Sequence, residues 1–386
     1  MEVTFSVPSV VVFGAGALNE LPVHARRLRI ERVLIVTDKF FAGNGLAGRV
    51  AALLAQSGIQ SRVFDNVQPD PTVANVHQGL AAYKEFGADA LVAVGGGSPI
   101  DAAKAISVLT GNPEPLSLYQ GYHKVPRQGA PVIAIPTTAG TGSEVTKVTV
   151  ITDTERDIKM MMLDVHLLPA VAIVDYELSM TMPPDLTAHV GVDTLTHGIE
   201  AYVSRRASPM TDPLALSCIR LVGGHLLTAW REPTNREARA AMALAATQGG
   251  MAFPNSSVCL VHGMSRPIGA IFHVAHGLSN AMLLPVVTRF SLPGALDRYA
   301  TIARVMQFAA ANDDDDTAGV KLVEGLRRMN EALGVPRLGQ CQGVTRERFD
   351  AHVERMAQDA LASGSPGNNP VVPTAAQIVE LYQEAW

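Results

Sequence analysis

The first 180 or so residues alternate six short apolar runs with helical patterns, and this alternation constrains the fold more than any other feature. The runs are SVVVF (9 to 13), RVLIVTD (32 to 38), SRVFD (61 to 65), ALVAV (90 to 94), PVIAIP (131 to 136) and AVAIVD (170 to 175). Between them, stretches such as LAGRVAALLAQSG and TVANVHQGLAAYKEFG repeat apolar residues at helical spacing and end in Gly58 and Gly87. That is the pattern of a parallel sheet covered by helices. After Met182-Pro183-Pro184-Asp185 the β-rich runs disappear, and Ala, Leu, Arg and Glu at helical periodicity continue to the C-terminus. Two domains are therefore expected, an α/β domain over 1–183 and an all-α domain over 184–386, in keeping with a chain of 386 residues.

Composition excludes several kinds of partner. The formal net charge is -5, and only 5% of residues are aromatic, so no basic stripe interleaved with aromatics marks a nucleic-acid or anionic membrane surface. No apolar run approaches the roughly 20 residues that cross a bilayer. The N-terminus MEVTFSVPSV lacks a basic segment followed by an apolar stretch. Three scattered cysteines, Cys218, Cys259 and Cys341, are too few for a disulfide framework. A cytoplasmic protein with reduced thiols is the expectation.

Three glycine turns follow strands. SVVVFGAGALNEL matches a dinucleotide fingerprint only in part, because Asn19 stands where a third glycine is needed; Asp38 closes the next strand. LVAVGGGSPIDAAKAI is the stronger signal. Gly95, Gly96 and Gly97 let the backbone approach a ligand, and Ser98-Pro99 opens a helix whose free N–H groups suit an anion, with Asp101 and Lys104 farther along. IPTTAGTGSEVT adds hydroxyls at Thr137, Thr138, Thr141 and Ser143 beyond another strand. Ligands of open α/β sheets lie past the carboxyl ends of strands, so a dinucleotide is the natural candidate for the last two turns.

In the helical half, GVDTLTHGIEAY places Asp193 and His197 four residues apart on one helix face. VHGMSRPIGAIFHVAHGLSN supplies His262, His273 and His276. Imidazole with carboxylate suits iron or zinc better than magnesium or calcium. The other seven histidines have no such setting and read as structural.

Together these segments resemble the iron-containing, or group III, alcohol dehydrogenase family. GGGSPIDAAKAI, PTTAGTGSEVT, DTLTHGIEAY and HGMSRPIGAIFHVAHG stand in its order and spacing, and the resemblance runs over nearly the whole chain. It implies a Rossmann-like N-terminal domain and a helical C-terminal domain in the dehydroquinate synthase-like fold, with hydride transfer between NAD(H) and a small alcohol or aldehyde. By position it assigns Asp193, His197, His262 and His276 to Fe(II) or Zn(II). It assigns Gly95, Gly96, Gly97, Ser98 and Asp101, with Thr137, Thr138 and Thr141, to the dinucleotide, Lys159 and Leu178 to its nicotinamide end, and Asp38 to the ribose. It also implies a homodimer or larger homo-oligomer.

The sequence departs from the family at one point. Many members carry a proton-relay histidine four residues after the third ligand, where this chain has Arg266. Arginine stays protonated and cannot shuttle a proton. Arg266 becomes a candidate anchor for a carboxylated substrate, and His273 a candidate relay. Three other readings use the same residues. A dehydroquinate synthase-like lyase would call for several cations around a sugar phosphate, which the metal segments do not show. A maleylacetate reductase-like enzyme would need no full ligand set, and a silent metal and nucleotide binder leaves that set without a purpose.

Overall fold

A computed structural model describes residues 3–156 and 158–386. The chain forms two compact units, one of Ser6–Met180 and one of Thr181–Trp386 together with residues 3–5.

The first unit is built on a six-stranded parallel sheet of β1 (Val10–Phe13), β2 (Arg32–Val36), β3 (Gln60–Phe64), β4 (Ala90–Gly95), β6 (Val132–Pro136) and β9 (Val171–Val174). Their order is β1-β9-β6-β4-β2-β3. The apolar runs are continuous because both faces are covered, and the two-residue strand period divides them. Leu34, Val36, Leu91, Ala93, Val132 and Ala134 face one core with Ile106. Val33, Ile35, Ala90, Val92, Val94, Ile133 and Ile135 face the other. From β2 the chain steps outward to β3 and then back past β2 to β4 and β6, so the direction of winding reverses at β2 and β4. Such a reversal opens a crevice at the carboxyl ends of the strands.

A second sheet was not legible from the runs above. It holds β5 (Gly121–Tyr122), β7 (Val148–Asp153) and β8 (Ile158–Leu163), with β7 and β8 antiparallel. The β8 sequence IKMMML is rich in methionine, a good helix former, yet Met160 and Met162 are fully buried as strand residues. Tertiary burial has overridden local preference.

In the second unit, residues 184–386 form nine α-helices, linked by turns and short 3₁₀ segments. Helix Pro184–Val203 is central, with every residue from Gly191 to Val203 buried. Enclosed over that stretch, the helix holds the polar side chains of Asp193, His197 and Glu200 at fixed positions. Its start is pinned by buried Arg239, which donates to the Thr187 hydroxyl at 2.9 Å and to the carbonyls of Met182 and Pro233 at 3.1 and 2.8 Å. The four aspartates 313 to 316 lie at the start of helix Asp315–Ala332, where Asp314 caps the Thr317 N–H at 2.7 Å.

Candidate metal centre and dinucleotide cradle

Three helices of the second unit bring the candidate ligands together. Asp193 and His197 lie one turn apart on Pro184–Val203, His262 lies near the start of Leu260–Phe272, and His276 opens His276–Ser291. Asp193, His262 and His276 each place a ligand atom within 4.8 Å of the others. The Asp193 Oδ1 atom is 3.6 Å from His262 Nε2 and 3.8 Å from the Nε2 atoms of both His197 and His276. Donors bound at about 2.0–2.2 Å in a tetrahedral site stand about 3.4 Å apart, so Asp193, His262 and His276 fit one divalent ion, with His197 reaching Asp193 from one side. The rings of His197 and His262 are stacked at 4.8 Å, and Phe253 covers the other side of His197 at 4.4 Å.

Glu200 completes the site, and the motif reading passed over it. Its carboxylate accepts the Cys259 and Val261 N–H groups at 2.8 and 2.7 Å and bonds His262 Nδ1 at 2.6 Å. With Nδ1 committed to Glu200, Nε2 is the ring nitrogen of His262 that faces the other candidate ligands. Glu200 lies seven residues after Asp193, two helical turns along the same face, and that spacing is the signal that could have found it.

Without an ion, the charges of these side chains act on one another. Burial alone would raise Asp193, but the three surrounding histidines hold its carboxyl well below the usual range. Burial pulls His262 down, yet the Glu200 and Asp193 carboxylates outweigh it and lift the ring to about 9. His276 is pushed below the ordinary imidazole value by packing and by the charges of His262, His197 and Arg266. With 47% of its side chain in water, we attribute the larger share of that shift to the charges.

The first unit carries the cradle at the ends of β4 and β6. Gly95 has a φ of +148°, and a Cβ there would meet Pro99 at 2.6 Å, so this turn requires glycine. Helix Gly97–Gly111 begins two residues later, and a Cβ on Gly97 would lie 3.1 Å from Thr141. The Thr137 N–H bonds the Gly95 carbonyl at 2.9 Å, and the Thr137 hydroxyl is buried without a protein partner. A narrow glycine turn, a helix N-terminus and an orphaned hydroxyl fit a pyrophosphate and its sugars. By contrast, the Gly14–Gly16 turn directs its donors inward, the Gly16 and Leu18 N–H groups bonding the Asp175 carboxylate at 3.2 and 3.3 Å.

The remaining candidates are dispersed. Asp38 caps helix Lys39–Gly43 by accepting the Phe41 N–H at 3.0 Å. Asp101 turns toward the second sheet, accepting the Ser143 hydroxyl at 2.6 Å and the Val150 N–H at 2.9 Å. Lys159 is exposed on β8 and pairs with Asp70 at 2.9 Å, and Leu178 packs against the sheet core. Helix Leu260–Phe272 continues through Pro267, so Arg266 stays one turn beyond His262 and its charge acts on His276. His273 ends that helix in the left-handed conformation, φ 57°, with its side chain exposed.

Residues 8–176 match the iron-containing alcohol dehydrogenase family, and residues 187–386 match the C-terminal region of the same family. The chain belongs to the iron-containing alcohol dehydrogenase family. Lactaldehyde reductase from Escherichia coli (strain K12) is 38% identical, with 97% of each chain covered. NAD-dependent methanol dehydrogenase from Bacillus methanolicus is 36% identical, with 99% of each covered. A crystal structure of 1,3-propanediol oxidoreductase aligns over 100% of both chains with a TM-score of 0.96 and 33% identity. This iron-containing alcohol dehydrogenase therefore has the dehydroquinate synthase-like fold and is an oxidoreductase of alcohols and aldehydes. Among its described residues, no helix is long and apolar enough to cross a membrane.

Proposed function

We propose that the enzyme transfers a hydride between NAD(H) and a short alcohol/aldehyde pair, using one Fe(II) or Zn(II) ion held by Asp193, His197, His262 and His276. The observation that carries this reading is the convergence of three Nε2 atoms on Asp193 Oδ1 at 3.6 to 3.8 Å. Bound at these sites, the ion supplies Lewis-acid polarisation of the substrate oxygen and the nicotinamide supplies or accepts the hydride. Asp193 stays ionised among the histidines, and Glu200 holds the His262 tautomer. Gly96, Gly97 and Ser98 present helix N–H groups to the pyrophosphate, and Thr137 and Thr138 line it. Asp38 is fixed through Oδ1, leaving Oδ2 to meet a ribose hydroxyl and its charge to repel a 2′-phosphate, which favours NAD(H).

Arg266 is assigned the anionic end of the substrate, so an ω-carboxylated semialdehyde is the favoured class. The relay role of His273 rests on its position three residues before His276 and on its exposure. A cytoplasmic homodimer or larger homo-oligomer also belongs to this proposal, on the family likeness alone.

A panel of aldehydes and alcohols, assayed with iron-loaded and zinc-loaded protein and with both NADH and NADPH, tests the reading. Net NADH oxidation with short aldehydes, faster than with NADPH, is expected. Turnover without net NADH consumption would replace it with the lyase, and equal efficiency with both cofactors would remove the role given to Asp38.

A further inference from the structure

Four residues beyond His276, and so on the same face of helix His276–Ser291, stands Asn280. Its side chain is fully buried. The amide nitrogen lies 2.6 Å from Asp193 Oδ1, 3.3 Å from His262 Nε2 and 3.2 Å from His276 Nε2. The amide oxygen has no hydrogen-bond partner. Buried polar groups are rarely left half satisfied, so an amide retained here is held for what its nitrogen does.

The surroundings decide which end of the amide faces inward. The nearest neighbour, Asp193 Oδ1 at 2.6 Å, is a carboxylate oxygen, which offers lone pairs and no proton. An amide oxygen in that place would set lone pair against lone pair. A nitrogen donates instead, and its shortest bond goes to the carboxylate oxygen that faces all three histidines.

We propose that Asn280 is a positioning residue of the metal centre, donating from Nδ2 to Asp193 Oδ1 and thereby fixing the rotamer and the oxygen that Asp193 presents. It ties the carboxylate of helix Pro184–Val203 to the ligand face of helix His276–Ser291. This inference rests on the metal reading above and adds a residue to it.

The test compares the parent protein with Asn280→Ala and Asn280→Asp, measuring Co(II) and Zn(II) affinity by chelator competition and recording the Co(II) absorption spectrum. If the donor is what matters, both variants lose affinity by about ten- to a hundredfold, as outer-shell removals do, and the Co(II) bands shift. Aspartate keeps the shape and an oxygen but cannot donate, so it does not rescue. Parental affinity in Asn280→Ala overturns the proposal. Retained or increased affinity in Asn280→Asp also overturns it, because the residue is then an oxygen ligand. Should Asn280→Ala not fold, Asn280→Ser, whose hydroxyl is too short to reach Asp193, takes its place with the same expectation. A parent protein that binds no divalent ion sinks the metal reading itself, an outcome distinct from parent and variants binding alike.

Discussion

Asp193 and Glu200 are both buried carboxylates on one helix, and their neighbours give them different work. Asp193 meets ring nitrogens, whereas Glu200 meets two backbone N–H groups and the far side of the His262 ring. Residue identity and spacing show that each could ligate an ion, but only the directions of the surrounding groups separate ligand from orienter. The same holds for Asp101, which sits on the cradle helix yet spends its carboxylate on Ser143 and Val150. At this scale Arg266 carries a prediction. A guanidinium one turn past His262 suits a carboxylate, and removing one charge-assisted bond is worth about 1.5 to 3 kcal/mol. Arg266→Ala should lose kcat/KM by about ten- to a hundredfold on succinate semialdehyde and little on an uncharged aldehyde of equal length. Equal losses on both substrates would make Arg266 structural.

Helix Gly97–Gly111 is held in place by buried polar chemistry. Lys104 donates to the Ser143 and Thr146 hydroxyls and to the Thr146 and Val148 carbonyls, all at 2.9 to 3.1 Å. These bonds lock the helix to the loop after β6 and to β7, so the second sheet serves the cradle as a buttress. Lys104→Met should lower the melting midpoint, since breaking one member of a buried charged network costs about 3–5 kcal/mol. The pH dependence has a definite sign. Burial, opposed by Asp101 and Glu144, pushes Lys104 down to about 8 from 10.5. The unfolded chain therefore binds the proton more tightly, and the charged lysine opposes folding fully below about pH 8. That opposition fades as pH rises toward 10.5, so the midpoint of the parent should gain on that of Lys104→Met between those values. A constant difference across the range would show that Lys104 titrates as a free lysine.

Over the whole molecule, the proposed cradle residues belong to the Ser6–Met180 unit and the proposed ligands to the unit beginning at Thr181. Each unit has its own core, so the two binding functions should separate. Stripping the ion with a chelator should abolish turnover while leaving NADH affinity, read by fluorescence titration, within about twofold. Loss of NADH binding together with the metal would show that the cradle depends on the ion.

Readable from the sequence alone were the parallel sheet, the change to helices near residue 183, the glycine turns and the Asp/His spacing, because each follows from a local period or a backbone requirement. A fully apolar strand ending in three glycines needs no distant partner to be recognised. What only the tertiary structure decided was direction. It turned the Gly14–Gly16 donors to Asp175, drew the methionine-rich segment into β8, and set Glu200 and Asn280 around candidate ligands from three helices. The Gly16–Asp175, Cys259–Glu200 and Asn280–Asp193 contacts join residues 59 to 159 positions apart along the chain, and only packing brings donor to acceptor there.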